Sequence, residues 1–502
     1  MENQGIGNWV HRRRVKSAGA AAIIADGVHR DYAELADRID RLAAALTDRG
    51  VRRGDRVAYL GANAPEFLET LFAVTSLGAI FVPLNIRLAA GEIAYALEDS
   101  GTTLLVHAEE FSSVVPTAGP ARVVVGATVP ADAEAYDSVL GSGASGHVDR
   151  PVALDDPAAI LYTSGTTGKP KGAVLSHGNL TWNAVNAIVD YDVTSAQVAL
   201  MVSPLFHVAS LGMGALPTLL KGGTLVLQPR FEPAAVLAAI QEHGVTSLSG
   251  VPTTFQMLAE HPDWTTSDLS SIQTLTCGGS SVPARVAAAY EQRGLAFSSG
   301  YGMTETSPGA TSLSPRHSRD RATTSGLPHF FTAVKIVDEA GHALPTGELG
   351  EILVSGPNVF LGYWNLPEAS AASRVDGWFR SGDLGFLDED GFLTIADRAK
   401  DMFISGAENV YPAEVEQLIM ELDAVASVAV IGVPDEKWGE VGRAIIVPAG
   451  GAEVTHDDIA THLDGRIARY KIPKSTVVVE DLPRTASGKV RKNELRDSFG
   501  AP

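Results

Sequence analysis

The chain has a single cysteine, Cys277, in 502 residues. A lone thiol excludes an internal disulfide framework and a zinc site built from cysteines, and Cys277 itself reads as a small buried hydrophobe. Positive charge is scarce too. Thirty-nine Lys and Arg stand against 59 Asp and Glu, a formal net charge of -20. This argues against nucleic acid as the main partner, because phosphate backbones are bound by basic surfaces. A phosphate ligand would have to be held by local lysines and backbone amides against the overall field. Long apolar runs are also missing. The nearest, residues 67–84, is broken by Glu69, Gly78 and Pro83, well short of the ~20 apolar residues of a membrane helix. Arg12-Arg13-Arg14 is followed by no apolar segment, so no secretion signal and a cytoplasmic location are expected. There is no internal repeat, low-complexity tract or Walker loop.

What is present is a long, ordinary globular composition, 45% hydrophobic and 20% charged, too long for one core. Leu35, Ile39, Leu42 and Leu46 recur at helical spacing and Gly50 ends the pattern, which predicts an amphipathic helix over residues 32–49. Short apolar runs then alternate with helical patterns as far as residue 107, and again over residues 198–298. Such alternation predicts a mostly parallel sheet covered on both faces. Residues 119–151, rich in Ala, Gly, Ser and acidic side chains, read as a surface connection. From Ala333 onward, short strands separated by Gly, Asp and Glu turns predict an antiparallel or barrel-like region. After Asp397-Arg398-Ala399-Lys400-Asp401 the last stretch, about 100 residues, has the size and pattern of a small α/β domain.

Four constellations carry chemistry. The first is Thr163-Ser164-Gly165-Thr166-Thr167-Gly168-Lys169-Pro170-Lys171-Gly172, directly behind an apolar strand ending at Tyr162. Glycines let backbone amides approach anionic oxygens, hydroxyls add donors, and two lysines add charge, which together suit a polyphosphate clamp. Only two residues separate Gly165 from Gly168, and proline follows Lys169, so the pattern is not a P-loop. The second is Gly300-Tyr301-Gly302-Met303-Thr304-Glu305, which suits purine stacking on Tyr301, a phosphate donor at Thr304 and Mg2+ on Glu305. The third is Gly382-Asp383 with Arg398, a carboxylate in a turn able to accept ribose hydroxyls. The fourth is Ser487-Gly488-Lys489, a lysine on a mobile turn able to reach an anion as a point charge. Each has a plain structural alternative: a flexible linker, a satisfied tyrosine at a strand end, an Asp shaping a turn, a solvated lysine. His207, in Pro204-Leu205-Phe206-His207, is either a core histidine or one wall of a carboxylate pocket.

Taken in order, these motifs resemble the ANL superfamily of adenylate-forming enzymes, together with Glu408-Asn409-Val410-Tyr411-Pro412-Ala413-Glu414. The resemblance covers nearly the whole chain and lies nearest short bacterial fatty-acyl-CoA, feruloyl-CoA and coumarate-CoA ligases. It implies an α/β fold with a large N-terminal domain (residues 1–398) of two sheet layers and a small β-barrel. A hinge at 399–400, centred on Lys400, would lead to a C-terminal α+β lid domain (401–502). It implies two half-reactions: a carboxylate attacks the α-phosphate of ATP to give acyl-AMP and pyrophosphate, and the thiol of CoA then displaces AMP. By resemblance, residues 163–171 hold the outer phosphates and Glu305 binds Mg2+. Gly279, Ser280, Tyr301 and Gly302 frame the adenine, and Asp383 with Arg398 the ribose. Lys489, Thr304 and His207 would then serve the reacting groups. Phe206, Val208, Gly212, Val251, Gly278 and Gly300 fall where relatives line the acyl pocket, which suits a hydrophobic fatty or aromatic acid. Gly406, Ala407 and Trp438 fall near the thiol tunnel.

Two positions depart from the family pattern. Ser299 stands where relatives carry Gln, and Ala407 replaces the second glycine of Ser-Gly-Gly-Glu-Asn. A methyl in the tunnel loop supports a second reading, an amide synthetase that passes the acyl group to an amine. A third, a non-catalytic nucleotide-binding scaffold, conflicts with the presence of Lys489, Glu305, Asp383 and Arg398.

Overall fold

The N-cap Asp31 accepts a hydrogen bond from the Glu34 backbone N–H, and Glu34 reaches back to the cap. This reciprocal box starts the helix Tyr32–Asp48, whose Leu35, Ile39, Leu42 and Leu46 are all buried. The helix expected over residues 32–49 therefore forms. A computed structural model describes residues 3–501 apart from 149, 164–169, 279–281, 399–400, 406–407, 436–437, 468 and 486–488, and for 397, 398, 408 and 409 it describes the backbone.

Among the described residues the strands gather into four sheets. One is nine-stranded, with a parallel centre at Ala21–Ala25, Thr224–Leu227, Val198–Met201, Ser247–Gly250, Thr274–Cys277 and Phe297–Gly302. Antiparallel strands Gly309–Leu313 and Leu327–Pro328 close one edge. The second, eight-stranded, is parallel from Pro157–Thr163 through Ile80–Leu84, Arg56–Leu60 and Thr102–Ala108, with the hairpin partner Lys171–Ser176 and then Gly362–Tyr363 at its edge. Along Arg56–Leu60 the side chains alternate between two cores: Val57 and Tyr59 face the core shared with the nine-stranded sheet, Ala58 and Leu60 the opposite one. The expected two α/β layers are thus present. A third sheet, Ala333–Val337, Gly350–Ser355, Trp378–Leu387, Arg374–Val375 and Leu393–Arg398, is antiparallel throughout, as the turn-rich pattern predicts. The C-terminal sheet is built on the long pair Val425–Asp435 and Gly439–Pro448 and carries its own apolar core on each face.

Two expectations change. Residues 119–151 are not merely a connection: strand Ala121–Val125 extends the eight-stranded sheet parallel to Thr102–Ala108, and helix Tyr136–Ser142 buries Tyr136 and Val139. The strand is short and its small, polar flanks hide it. The end of the segment is fastened by His147, whose Nδ1 lies 3.0 Å from Asp40 and whose ring stacks on His11 at 3.6 Å. Asp383, expected in a turn, lies inside the ten-residue strand Trp378–Leu387, where Gly382 at φ +71° bends the strand next to it. No helix among the described residues is long and apolar enough to cross a membrane.

Glu69, which breaks the longest apolar run, is fully buried. Its carboxylate accepts a forked pair from Arg38 at 2.6 and 3.0 Å and a bond from the Tyr136 hydroxyl at 2.8 Å, with Arg30 at 3.3 Å. One carboxylate thus joins helices Tyr32–Asp48, Pro65–Ser76 and Tyr136–Ser142 to strand Val28–Asp31. Glu69→Ala leaves two guanidinium groups without their anion and is expected to lower unfolding free energy by roughly 3–5 kcal/mol, measured by urea denaturation.

Candidate active site

The glycine-rich stretch is the connection of a hairpin. Strands Pro157–Thr163 and Lys171–Ser176 pair with Thr163 opposite Lys171, and Thr163 Oγ1 donates to the Lys171 carbonyl at 3.3 Å. Ser164, Gly165, Thr166, Thr167, Gly168 and Lys169 lie outside the described residues. The base is tied down by Tyr162, whose hydroxyl donates to Asp99 at 2.7 Å, and by Tyr95, whose hydroxyl donates to the Pro170 carbonyl at 3.2 Å.

Next to this hairpin, Tyr363 brings the first two constellations together. Lys171 Nζ stands 5.2 Å over its ring, and its hydroxyl donates to Glu305 Oε1 at 2.8 Å. Burial and the Glu305 charge push the Tyr363 phenol well above its ordinary range, so it remains a donor. Thr304 and Glu305 sit on a single helical turn, Thr304–Thr306, after strand Phe297–Gly302. The backbone there is held closely: a Cβ built on Gly302 would lie 1.8 Å from the Pro308 carbonyl oxygen.

Tyr301 connects to the third constellation. Its hydroxyl donates to Asp383 Oδ2 at 2.6 Å, and Asp383 is buried, its N–H donating to Ser381 Oγ at 3.0 Å. In the sheet register Asp383 stands opposite Arg398, whose side chain lies outside the description. Gly279, Ser280, Lys400, Gly406 and Ala407 fall outside it as well. Trp438 is exposed beside the strand Gly439–Pro448, where Gly439 pairs with Ser405.

His207 lies at the start of a short helix, its ring 4.7 Å from that of Phe206. Burial, with the positive charges of Arg87 and Lys489, lowers its pKa to about 4. The ring is therefore neutral at pH 7. Lys489 is tied to Thr485: the Thr485 N–H donates to the Lys489 carbonyl at 2.7 Å, and the Lys489 N–H to Thr485 Oγ1 at 3.1 Å. The acyl-pocket candidates Phe206 and Val208 are buried. Gly212 packs on Ser307 and Gly300 on Thr311, their Cβ positions each 2.5 Å from a carbonyl oxygen. Val251 follows the strand Ser247–Gly250, and Gly278 donates its N–H to the Gly250 carbonyl at 3.0 Å. Among the described residues, a Cβ on Gly278 meets nothing within 4 Å.

Several organising residues carry no motif. Asn63 donates to the carbonyls of Met201, Ser203 and Gln228 and accepts from the Leu205 N–H, shaping the loop that presents His207. Asn183 donates to the Gly212 carbonyl at 2.8 Å and accepts from the Gly309 N–H at 3.0 Å. Asn179, Asn183 and Asn186 recur every three or four residues on helix His177–Asp190, a polar stripe visible in the sequence as a buried helix face.

The family of AMP-binding enzymes matches residues 10–364, and its C-terminal domain matches 414–489. The chain belongs to this family of adenylate-forming enzymes. It is 50% identical over 500 residues to a feruloyl-CoA synthase of an Amycolatopsis species, covering 100% of each chain. It is 42% identical to an indoleacetate–CoA ligase of Aromatoleum aromaticum, covering 98% of this chain and 97% of that one. An o-succinylbenzoate coenzyme A synthetase from Bacillus subtilis, solved in complex with ATP and magnesium ion, superposes with a TM-score of 0.87 at 34% identity over 98% of this chain and 99% of that one.

Two outcomes follow. Gly302→Ala drives a methyl into the Pro308 carbonyl and is expected to lower unfolding free energy by roughly 1–3 kcal/mol in urea denaturation, whereas Gly278→Ala is expected to change it by less than about 0.5 kcal/mol. The second concerns pH. His177 is buried and accepts the Ile6 N–H at Nδ1, and burial lowers its pKa to about 4. The unfolded chain then takes up the proton first as pH falls. The stabilisation is complete above about pH 6.5 and is lost progressively toward pH 4, roughly 3 kcal/mol for this histidine. Urea unfolding between pH 7.5 and 4.5 measures the slope, which is expected to be shallower in His177→Asn.

Proposed function

We propose that this enzyme is an AMP-forming acid–CoA ligase: it activates a hydrophobic fatty or aromatic acid to an acyl-adenylate and passes the acyl group to CoA. The observation that carries the reading is the joining of the separate motifs in one place: Tyr363 holds Glu305 through its hydroxyl with the Lys171 ammonium over its ring, and the Tyr301 hydroxyl holds Asp383. Lys489 adds the cation that a carboxylate and the α-phosphate need in order to approach each other. The residues of the nine-stranded sheet, the hairpin and the antiparallel sheet then divide the nucleotide among them.

In this reading Thr163, Lys171 and the loop between them bind the β- and γ-phosphates, with Thr304 as a further donor. Glu305 is a hard oxygen ligand held in place by Tyr363, a donor type that suits Mg2+. Mg2+ held there would supply positive charge to balance that of the departing pyrophosphate. Tyr301, Gly302 and the residues 279–280 frame the adenine, while Asp383, oriented by the Tyr301 hydroxyl, accepts the ribose hydroxyls with Arg398 beside it. Lys489 bridges the substrate carboxylate and the α-phosphate. His207, neutral, closes the pocket wall beside the carboxylate without adding charge. Phe206, Val208, Gly212, Val251, Gly278 and Gly300 form the acyl pocket. In the second half-reaction, residues 401–502 turn as a lid about Lys400 and withdraw Lys489, and the loop with Gly406 and Ala407, near Trp438, receives the thiol.

A carboxylate panel assayed for pyrophosphate release, with and without CoA, tests this. CoA-dependent AMP and thioester formation is expected with hydrophobic acids. Acyl-adenylate without thioester, together with amide formed from added amines, would support the amide synthetase instead. Lys489→Ala is expected to slow acid-dependent pyrophosphate release by about 100-fold or more, and unchanged release in that variant would remove the lysine from its assigned role.

A further inference from the structure

One side-chain cluster lies outside the candidate active site. His11 on helix Trp9–Ser17, Asp40 on helix Tyr32–Asp48 and His147 in the segment 143–152 meet so closely that a ligand atom of each lies within 4.8 Å of the other two. His147 Nδ1 stands 3.0 Å from Asp40 Oδ1, and His11 Nδ1 stands 3.8 Å from Asp40 Oδ2. The two imidazoles stack at 3.6 Å with 13° between their planes, which turns both Nδ1 atoms toward the same carboxylate. Asp40 is only 4% exposed, yet its Oδ2 accepts no hydrogen bond from the described residues. Arg14 Nη1 stands off from that oxygen at 3.6 Å, on a side chain that is 44% exposed. A carboxylate this deep ordinarily has its oxygens engaged, so the open one calls for an explanation.

The three segments are brought together by contacts of their own. Trp9 and Val10, next to His11, and Ile39 and Leu42, on either side of Asp40, are buried in one core, and Val148 packs against it. A Cβ built on Gly143 would lie 2.0 Å from the Arg41 carbonyl oxygen, so this segment runs directly over the helix that carries Asp40. Its far end is fixed by the Gln4 N–H, which donates to the Val152 carbonyl at 2.8 Å. The backbone therefore presents two imidazoles and a carboxylate before anything binds them. Imidazole nitrogen suits zinc and its transition-metal neighbours, whereas Mg2+ and Ca2+ take oxygen donors. Bonds of about 2.0–2.1 Å in a tetrahedral zinc site put ligand atoms roughly 3.3 Å apart, and the separations of 3.0 and 3.8 Å straddle that value. Ligation uses the lone pair of each Nδ1, so each ring carries its proton on Nε2 and the stacked rings splay to bring the bonds into their planes. The histidines, 29% and 19% exposed, leave an entry path and room for water in the fourth position.

We propose that His11, Asp40 and His147 form a binding site for a divalent transition-metal ion of the zinc class. The ion pins helix Trp9–Ser17 and the end of the segment 119–151 to helix Tyr32–Asp48. Its charge takes up the open Asp40 oxygen, and the exposed Arg14 turns to solvent. The site is separate from the Mg2+ position assigned to Glu305 and does not depend on the acid-activating reading.

The test uses the untagged full-length enzyme, stripped with a chelator, then titrated with Zn2+ by calorimetry and with Co2+ by visible absorption. Binding of about one equivalent is expected, with the d–d spectrum of imidazole-bound Co2+ and a rise in Tm of about 2 °C or more at saturating Zn2+. His147→Gln and, separately, Asp40→Asn are expected to weaken binding by about 100-fold or more, at or above the loss that outer-shell partners of a metal cause. The Tm rise is taken within each variant, so a lower starting stability does not enter. His11→Gln changes a part-exposed side chain, and its Co2+ spectrum decides the matter even where Asp40→Asn fails to fold. A wild type that binds no stoichiometric ion, Co2+ bound without the imidazole spectrum, or binding that survives the histidine substitutions overturns the proposal. The cluster is then a histidine pair hydrogen-bonded to a buried carboxylate and nothing more.

Discussion

The side-chain amide of Asn183 holds the architecture of the site in place. From one buried position it bonds the carbonyl of Gly212 and the N–H of Gly309, which belong to segments nearly a hundred residues apart. Its helix neighbours repeat the arrangement. Asn179 donates to the Pro357 and Val359 carbonyls, and Asn186 accepts from the Phe331 N–H and donates to Thr332 Oγ1. Thr332 donates to Asn358, whose amide donates to the Thr306 and Gly309 carbonyls. Irregular backbone carries the candidate catalytic groups, and it needs internal partners once water is excluded. The helix His177–Asp190 supplies them, so the segment carrying Thr304 and Glu305 is positioned from beneath by amides rather than by its own secondary structure.

Electrostatics add a second constraint. A chain of net charge -20 that handles a polyanion must concentrate its cations locally, and the structure neutralises acid where it is deepest. Glu69 takes two arginines, and Asp383 is engaged by the Tyr301 hydroxyl. His207 contributes no charge of its own, because burial and two cations hold it neutral. In the proposed site, Lys171 and Lys489 would then supply positive charge to an anionic ligand while His207 adds none.

The parts of this enzyme that were legible in the sequence are those written contiguously. The glycine-rich connection behind the strand ending at Tyr162, the strand leading into Tyr301-Gly302, and the helix 32–49 all follow from local spacing and turn chemistry. What escaped are contacts between distant segments. Tyr363 joins Lys171 to Glu305, and Asn63 shapes the loop before His207 from 142 residues away along the chain. Neither has a local signature. The strand at Ala121–Val125 was hidden because a short run amid Ala, Gly and Ser lacks period, and only the neighbouring strand Thr102–Ala108 gives it a partner. Gly382-Asp383 suggested a turn because glycine usually marks one, whereas sheet pairing keeps Asp383 extended opposite Arg398.

The glycines of the proposed acyl pocket, with Gly302 of the adjoining nucleotide turn, differ in how much room they leave for a side chain. At Gly212, Gly300 and Gly302 even a methyl group would meet backbone oxygen within 2.5 Å. Those walls are made of main chain and cannot drift by simple point substitution without moving a strand. Of these four glycines, Gly278 alone meets no atom of the described residues within 4 Å of its Cβ position. In the proposed pocket a side chain can therefore be added at Gly278 without displacing the described main chain, whereas at the crowded three the backbone itself has to shift.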